Sequence, residues 1–570
     1  MGQSDRLPFV VLGCLLMVIT AAVLTSVSTP APHTGGDNAG YLSLAHSLAS
    51  GQGYTELWDP GLPAHTKYPP MFPLILGTLM IAGASSWMAF KLLMAILMSI
   101  SVLLVFAWAS ERVGPLSAAA VAVITLFTAG WLQASRWVLS DPAFLVLTFL
   151  SLWAVEHATA DAPRMGGRLS SRGWLVLAGV SAILAFFTRS AGLPLVLALS
   201  VSLLLSRRVW AASLFAMCLA IPGIWWLLRL RGGGEGAYQS EFWMVNPYEP
   251  QLGVVTWTAL PSRAWSNLRL YVGEVLPGEW WSGATGGVLV VFGILLMGFA
   301  MWGWLERIRL RPATAELFVP LYLGLILIWP EVWSGDRFIL PLYPFILLYA
   351  GESVARTVRP LGRMGSMTVV SAVFLLFLLP ALPRWLSLVE DASVCRRVAQ
   401  AGDPIRCQGS GFVEFRDAAV WSGANLPEGA VVLNRKPRAH YLFGGPSGRI
   451  FPFTRDPDQF LAEADRMGAR YLLLDHIDTV ALFYLPAVIR AQPLAFCHII
   501  GWGRGDSLGT NLFGILPEQQ RRPDGDLSQL QQCPESYRSG PESRPIIDGD
   551  RIPRVGVRGG LSQVPSEPLP

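Results

Sequence analysis

The sequence predicts a mainly α-helical, polytopic membrane protein with a small extracytoplasmic α/β domain towards its C-terminus. Of its 570 residues, 52% are hydrophobic and only 14% are charged, and the mean hydropathy is +0.45. Soluble domains have about 25% charged residues, so the composition excludes a large soluble enzyme. The net charge of +4 is too small to indicate nucleic acid as a partner.

Apolar runs of nearly spanning length recur along the first two thirds of the chain. A helix needs roughly 17–25 residues to cross a bilayer. The first run follows Arg6 and lacks a convincing cleavage site, so we expect an uncleaved first helix. The runs predict about eleven spans, near residues 8–29, 87–109, 114–131, 141–156, 174–187, 192–206, 209–228, 285–304, 314–330, 338–352 and 366–386.

The direction of the spans depends on whether the short apolar segment 71–83 crosses the membrane. If it does not cross and the N-terminus is cytoplasmic, every basic cluster between spans lies on the cytoplasmic side, as the positive-inside rule requires. We therefore expect 71–83 at the outer membrane surface and everything after residue 387 outside. The clusters are Arg112; Arg164, Arg168 and Arg172; Arg207 and Arg208; Arg307, Arg309 and Arg311; and Arg356, Arg359 and Arg363.

Three parts follow from this topology. Residues 1–390 form the transmembrane domain, with large external loops at 30–86 and 229–284. Residues 391–516 form the extracytoplasmic α/β domain, in which AVVLN (430–434) and RYLLLD (470–475) predict strands. Between them, Asp456 followed by Pro457 predicts a helix start. Residues 517–570, rich in Pro, Gly, Ser and Gln, predict a disordered tail.

Four cysteines lie in the external C-terminal part, where an oxidising compartment permits disulfides. Four cysteines allow three pairings, and sequence proximity favours Cys395 with Cys407 and Cys497 with Cys533. No CxxC or HExxH spacing indicates a zinc site.

The first external loop contains an acidic residue, Asp37, at the start of a predicted helix in HTGGDNAGYLSLAHSLASGQGY. One interpretation is that Asp37 only caps this helix. The other is that its carboxylate takes a proton from an acceptor hydroxyl at the membrane surface. Tyr41 lies on the same helix, one turn further on.

Further along the first loop, His65 and Lys67 precede Pro69 and Pro70, which forbid a helix there. Both residues therefore lie on an extended segment just above the lipid. A lysine at this depth can simply extend its ammonium group to the interface. Alternatively, it can contact an anionic headgroup.

Three more charged residues lie at outer ends of spans. Asp141, in WVLSDPAF, begins a span, where it can serve as a helix cap or as a second acid. Arg189 and Arg337 lie between spans on the outer side, against the positive-inside trend. Asp336 can neutralise its neighbour Arg337, but two isolated external arginines also suit a lipid phosphate.

The order of these elements resembles the GT-C superfamily of membrane glycosyltransferases. The similar features are Asp37 before Y-x-x-x-A-x-x-L-A-x-G-x-G-Y, then K-Y-P-P, L-S-D-P, T-R-S-A-G-L and D-R-F-I-L-P-L-Y-P-F. The most similar branch is the group related to protein O-mannosyltransferases and lipid A aminoarabinose transferase, the family 39-like enzymes. The resemblance covers roughly residues 8–390 and, more weakly, 425–515.

The resemblance implies a GT-C fold and the transfer of a sugar, with inversion, from a polyprenyl-phosphate-linked donor to an acceptor hydroxyl. The acceptor is a glycan, a lipid or a protein. It implies that Asp37 is the catalytic residue and Asp141 the second acidic position, although Asn38 stands where many relatives have Glu. The residues expected to bind substrate or lipid phosphate are Lys67, Arg189, Arg337, His65 and Tyr41.

Some members of the family bind a divalent metal near the first loop. Here Glu56 and His65 are available as ligands, with a spacing that is not diagnostic, so the metal stays open. The resemblance also places the protein in a bacterial inner membrane, in contact with membrane lipid. Two other functions remain open: a transporter or flippase of envelope precursors, which should show inverted repeats, and a non-catalytic scaffold for envelope assembly.

Overall fold

The computed structural model describes residues 3–33, 35–159, 170–231, 238–281, 286–310, 312–503, 509–521 and 531–538. Three sequence predictions fall partly outside these ranges: Arg164 and Arg168 of one basic cluster, Arg311 of another, and most of the 517–570 tail.

Helices build the membrane part. Serine and threonine caps begin several of them; Ser86, for example, accepts a hydrogen bond from the amide of Ala89 at 3.2 Å. The helices are α1 (Gln3–Ser26), α2 (Gly36–Ala49), α3 (Met71–Ile81), α4 (Trp87–Val113), α5 (Pro115–Leu126), α6 (Ala129–Ala134), α7 (Asp141–Thr159), α8 (Ser171–Thr188), α9 (Leu193–Leu205), α10 (Val209–Arg231), α11 (Tyr238–Trp243), α12 (Leu260–Leu270), α13 (Leu276–Gly278), α14 (Gly287–Leu310), α15 (Thr314–Leu327), α16 (Asp336–Ile339), α17 (Tyr343–Val358) and α18 (Gly362–Ala401).

Within the described ranges, seven helical segments are long and apolar enough to cross a membrane. They are Leu7–Ser26, Trp87–Val113, Asp141–Thr159, Ser171–Thr188, Val209–Arg229, Gly287–Leu310 and Asp336–Ala401, the last of which contains both α17 and α18. The shorter apolar helices α5, α9 and α15 coincide with the other predicted spans. The protein is a multi-pass membrane protein.

The ambiguous segment 71–83 forms α3, which has 11 residues. At about 1.5 Å per residue such a helix is roughly 16 Å long, about half the hydrocarbon thickness. It packs closely on α2: a Cβ added at Gly77 would lie 3.1 Å from the carbonyl oxygen of Ala45. Helices α2 and α3 therefore form one unit within the first external loop.

The C-terminal part is a mixed six-stranded sheet with helices on it, in the strand order β2-β1-β3-β5-β4-β6. β1 is parallel to β2 and β3, and β5 is antiparallel to β3 and β4. The elements are α19 (Ser410–Asn425), β1 (Val432–Asn434), α20 (Pro437–Leu442), β2 (Gly448–Ile450), α21 (Pro457–Arg466), β3 (Tyr471–Leu474), α22 (Thr479–Ala491), β4 (Phe496–Trp502), β5 (Thr510–Ile515) and β6 (Gln531–Gln532).

The predicted start of α21 is confirmed: the Asp456 carboxylate accepts hydrogen bonds from the amides of Asp458 and Gln459 at 3.0 and 3.2 Å. A mainly helical membrane protein with a small C-terminal sheet domain, as predicted, is what the structure shows.

Two boundaries differ from the sequence prediction. The boundary at residue 390 falls inside α18, which runs unbroken for 40 residues, because neither Gly nor Pro interrupts the chain between residue 384 and its end at Ala401. In addition, residues 531–538 of the predicted tail belong to the sheet domain, since β6 pairs with β4. A disulfide joins Cys533 to Cys497 of β4, and a second joins Cys395 to Cys407, the two pairs that proximity favours.

One hydrophobic cluster joins the sheet domain to the first external loop. It contains Phe415 and Leu442 of the sheet domain together with Leu42 of α2 and Phe72 of α3, all buried. This shared core fixes the sheet domain over the helix that contains Asp37.

Candidate active site

Four of the charged residues predicted at the outer face come together in the structure. Asp37 lies in the first turn of α2, and Asp141 begins α7. Arg189 follows the last residue of α8 in an extended conformation, and Arg337 lies in the short helix α16. These four residues are called the outer cluster below.

Arg337 bridges the two carboxylates of the outer cluster. Its Nη1 donates to Asp37 Oδ2 and its Nε donates to Asp141 Oδ2, both at 2.8 Å. The other oxygen of Asp141 accepts from Arg189. The interpretation that Asp336 neutralises Arg337 is wrong, since the guanidinium contacts Asp37 and Asp141, while Asp336 accepts from the Arg337 backbone amide at 2.7 Å.

The interpretation of Asp37 as a helix cap is also wrong. The residue at the cap position of α2 is Gly35, and no side chain caps there. Because α2 begins at Gly36, Asp37 lies inside the first turn, and its Oδ1 accepts a hydrogen bond from the Tyr68 hydroxyl at 2.6 Å. The following residue, Asn38, is buried, and its side-chain oxygen accepts a hydrogen bond from the amide of Val138 at 2.8 Å. This bond links α2 to the segment just before α7.

The outer cluster is open at Asp37 and closed at Asp141. The Asp37 side chain is 40% exposed and that of Arg337 23%, whereas Asp141 is only 4% exposed. Partial burial raises the pKa of Asp37, but the charge of Arg337 and the hydrogen bond from Tyr68 outweigh it and hold this pKa well below its usual range. Asp37 is therefore an ionised, accessible carboxylate at neutral pH.

Tyr41 lies behind the outer cluster. It is buried, its hydroxyl is 3.0 Å from the Ser140 hydroxyl, and its ring packs on that of Tyr68 with centroids 4.6 Å apart. Burial raises the pKa of Tyr41, so its hydroxyl keeps its proton at neutral pH.

His65 supports the first external loop from within. Its buried ring contacts Glu56 Oε1 through Nδ1 at 2.6 Å and accepts from the Tyr68 amide through Nε2 at 2.8 Å. Burial lowers the pKa of His65 to about 4, so the ring is neutral. With both ring nitrogens engaged, His65 and Glu56 do not fit a metal site. Within the part of the chain that the structure describes, no group of three or more His, Cys, Asp or Glu is arranged to hold a metal ion.

Lys67 pairs with an acid from the second external loop. Its ammonium nitrogen is 2.6 Å from the Glu241 carboxylate and 5.5 Å from the centre of the Trp333 ring. The Lys67 side chain is 18% exposed, so it remains partly accessible.

Sequence reasoning did not identify Tyr68, Glu241 and Arg438. Tyr68 lies in the K-Y-P-P motif, so that motif could have indicated it as a site residue. Arg438, in α20 of the sheet domain, donates to the Tyr68 hydroxyl at 2.5 Å across a sequence separation of 370 residues, which no local pattern indicates.

These residues form a charged, partly exposed cluster. Around the two carboxylates lie three guanidinium groups, those of Arg189, Arg337 and Arg438. Three guanidinium groups beside two carboxylates leave a net positive charge, which suits a phosphate. The exposed Asp37 carboxylate can accept a proton or orient a hydroxyl.

The fold is that of known membrane glycosyltransferases. The oligosaccharyltransferase AglB from Archaeoglobus fulgidus, in complex with an inhibitory peptide and a dolichol-phosphate, has 13% identity to this chain and a TM-score of 0.52. The match covers 90% of this chain and 75% of AglB. The same enzyme in its apo form has 13% identity and a TM-score of 0.50, covering 87% and 74%.

ArnT from Cupriavidus metallidurans, bound to undecaprenyl phosphate, has 13% identity and a TM-score of 0.48, covering 90% of this chain and 99% of ArnT. No protein-family model matches the chain, and no curated protein matches it. AglB, matched at a TM-score of 0.52, has the GT-C fold. The GT-C fold expected from the sequence is confirmed.

Proposed function

We propose that the protein is an integral membrane glycosyltransferase that transfers a sugar from a polyprenyl-phosphate-linked donor to an acceptor hydroxyl, with inversion. The observation on which this proposal depends most is the Arg337 bridge, in which a guanidinium, a group suited to binding phosphate, contacts the exposed carboxylate of Asp37. The fold supports it, since AglB, which shares the fold, was solved with a dolichol-phosphate.

In the proposed reaction, Asp37 accepts a hydrogen bond from the acceptor hydroxyl. The hydroxyl oxygen attacks the anomeric carbon of the donor, the bond from that carbon to the phosphate oxygen breaks, and the hydroxyl proton passes to Asp37. The exposure of Asp37 suits this role, since an acceptor can reach the carboxylate from outside.

Polyprenyl phosphate leaves with one more negative charge than it has in the donor. Cations already in place stabilise such a developing charge at little cost in reorganisation. Arg337 is the nearest candidate because it contacts Asp37 directly. Arg189, behind Asp141, and Lys67, at the end of the extended segment, supply further positive charge.

Arg337 also links the two halves of the reaction. While it donates to Asp37, it keeps the pKa of that carboxylate low. When the guanidinium turns towards the leaving phosphate, the pKa of Asp37 rises, and the carboxylate becomes a better base as the acceptor releases its proton. Asp141, with both oxygens held by arginines, positions the two guanidinium groups.

The proposed location is a bacterial inner membrane, with the N-terminus in the cytoplasm and the sheet domain outside. The basic clusters between spans support this orientation by the positive-inside rule. The acceptor is a hydroxyl of an envelope glycan, a lipid or a protein, and the sugar is a hexose or pentose.

The experiment is a product analysis with purified protein in lipid nanodiscs. The protein is given radiolabelled polyprenyl-phosphate sugar donors and envelope extracts as acceptors. We expect labelled acceptor and free polyprenyl phosphate. In proteoliposomes, movement of intact donor across the bilayer would instead indicate a transporter, and binding without any change in the donor would indicate a scaffold.

Two isosteric variants make this test specific. Asp37→Asn should abolish transfer, whereas Asp59→Asn, in the same external loop but paired with Arg449, should retain it. Full transfer by Asp37→Asn would contradict the proposal.

A further inference from the structure

A side chain of the sheet domain reaches the proposed catalytic carboxylate through a tyrosine. We infer that Arg438 is a positioning residue: it holds the Tyr68 hydroxyl so that this hydroxyl donates to Asp37, which makes the sheet domain part of the active site. The inference rests on the proposed function of Asp37 as the group that contacts the acceptor.

The direction of the two hydrogen bonds follows from the chemistry of the groups. A guanidinium has only donors, and a phenol hydroxyl has a single proton. Arg438 Nη1 lies 2.5 Å from the Tyr68 oxygen, so that oxygen must accept from Arg438. The one remaining proton of Tyr68 then points to Asp37 Oδ1, 2.6 Å away.

The result is a carboxylate with two distinct oxygens. Oδ1 of Asp37 is held by Tyr68, and Oδ2 by Arg337. If Arg337 turns to the donor phosphate, the bond from Tyr68 still fixes the plane of the carboxylate, with Oδ2 directed at the acceptor. Without Arg438, the Tyr68 hydroxyl can rotate, and the carboxylate loses its remaining constraint.

Arg438 is itself held by packing. Its guanidinium lies over the rings of Trp58 and Tyr68, with the central carbon 5.0 and 5.2 Å from their centres. Helix α2 passes so close that a Cβ at Gly40 would lie 3.0 Å from Arg438 Cδ and 3.3 Å from Tyr68 Cε2. The glycine therefore allows arginine and tyrosine to stack directly beside the helix of Asp37.

The sheet domain docks on the first external loop through contacts separate from Arg438. The Gly448 amide donates to the Trp58 carbonyl at 2.8 Å, and Arg449 pairs with Asp59 at 2.9 Å. Docking and positioning can therefore be tested apart. Arg438 and Arg449 form a matched pair: both are arginines of the sheet domain that contact the same loop, Arg438 at Tyr68 and Arg449 at Asp59.

The experiment compares Arg438→Ala, Arg438→Lys, Tyr68→Phe and the control Arg449→Ala in the transfer assay, with thermal unfolding in detergent measured for each. We expect Arg438→Ala and Tyr68→Phe to lower kcat by about 10- to 100-fold, as misplacement of a reacting group does, with little change in the KM for donor. Arg449→Ala should keep kcat near the wild-type value.

Three further readouts separate positioning from a merely structural role. Loss of the Arg438 charge raises the pKa of Asp37, so the acidic limb of the rate profile should move to higher pH in Arg438→Ala. Arg438→Lys, which keeps the charge, should move the limb less and recover part of kcat. The double variant with Tyr68→Phe should be no slower than Tyr68→Phe alone, because both act through one hydrogen bond.

Wild-type kcat and an unmoved pH profile in Arg438→Ala would overturn the inference while leaving the proposed function intact, provided that Asp37→Asn is inactive. Equal losses in Arg438→Ala and Arg449→Ala, with equal losses of thermal stability, would also overturn it, since docking alone would then explain them. If Asp37→Asn retains full transfer, the proposed function itself fails.

Discussion

The two ends of helix α7 have charge clusters with opposite ratios of arginine to carboxylate. At one end, Asp141 is shared by Arg189 and Arg337, so one carboxylate holds two guanidinium groups. At the other, roughly 22 Å away at about 1.5 Å per residue, Glu156 and Glu316 share Arg112. The cluster of Arg112, Glu156 and Glu316 is called the inner cluster below.

The inner cluster is sealed by its neighbours. Trp108 donates to Glu156 at 2.9 Å, Tyr349 donates to Glu316 at 3.0 Å, and Arg112 lies over the Trp108 ring at 4.6 Å. The side chains of Arg112 and Glu316 are 7% and 2% exposed. Both ends of α7 thus have close arginine–carboxylate pairs, but of the two clusters only the outer one has a strongly exposed member, the Asp37 carboxylate.

Ion pairs at helix ends do not therefore identify a site by themselves. A buried pair with every partner supplied by the protein holds helices together, whereas a pair with an exposed member keeps binding capacity for a substrate. On this account the inner cluster stabilises the membrane helices and the outer cluster performs the transfer.

Among the arginine variants, the largest effect is expected from Arg337→Ala, which removes the bridge in the outer cluster. We expect transfer to fall about 10²- to 10³-fold, the cost of losing one preorganised donor to developing charge. The transfer assay with the polyprenyl-phosphate donor measures it. The control is Arg269→Ala, an exposed arginine on α12 near Trp265; an equal loss there would remove the special role of Arg337.

Arg112→Ala tests the inner cluster. It leaves Glu156 and Glu316 buried without their arginine, which should lower the free energy of unfolding by about 3–5 kcal/mol. Unfolding in detergent measures this loss, and transfer per folded molecule should stay unchanged. Arg356→Ala, whose pair with Glu306 is far more exposed, should cost about 0–1 kcal/mol. Similar costs for the two variants would contradict the structural role of the inner cluster.

A smaller effect is expected where Lys67 meets Glu241. Removing the charge of Glu241 by Glu241→Gln leaves Lys67 more positive towards a donor phosphate. The KM for donor should fall about two- to fivefold, the range that a partly exposed ion pair supports. Glu249→Gln serves as the control, since Glu249 accepts from Asn246 within the same loop. A higher KM in Glu241→Gln would show that the acid helps to bind the donor.

The smallest effect concerns acid pH. The pKa of Asp37 is lowered in the folded protein, so the group is ionised well below neutral pH. Its contribution to stability is present above its unfolded pKa and is lost as the pH falls through the lower, folded pKa. The rate profile should accordingly show no loss from Asp37 between pH 7 and about pH 5. An acidic limb between pH 7 and about pH 5 in the wild-type profile that moves to higher pH in Arg438→Ala would be inconsistent with the bridged carboxylate.

The sequence predicted the fold class well because the patterns that indicate the fold class lie within short stretches of the chain. Apolar runs, basic loops and the cap at Asp456 each depend on neighbouring residues. The end of α18 was missed because the change from apolar to polar sequence after residue 387 does not break a helix.

The topology predicted from the basic clusters put four charged residues at the same membrane face: Asp37, Asp141, Arg189 and Arg337. It could not predict which of them pair. Arg337 and Asp37 are 300 residues apart, whereas Asp336 is the adjacent acid, and only packing shows which acid the guanidinium contacts. Arg438 is 370 residues from Tyr68 in the sequence, and the domain docking that brings the two together leaves no pattern in the sequence.

The most direct test compares two carboxylate-to-amide variants, Asp37→Asn in the outer cluster and Glu156→Gln in the inner cluster, each measured for sugar transfer and for unfolding. Asp37→Asn should abolish transfer with little change in stability. Glu156→Gln should lower stability while transfer per folded molecule stays near the wild-type rate. The reverse result, or full transfer by Asp37→Asn, would contradict the assignment of the outer cluster as the active site.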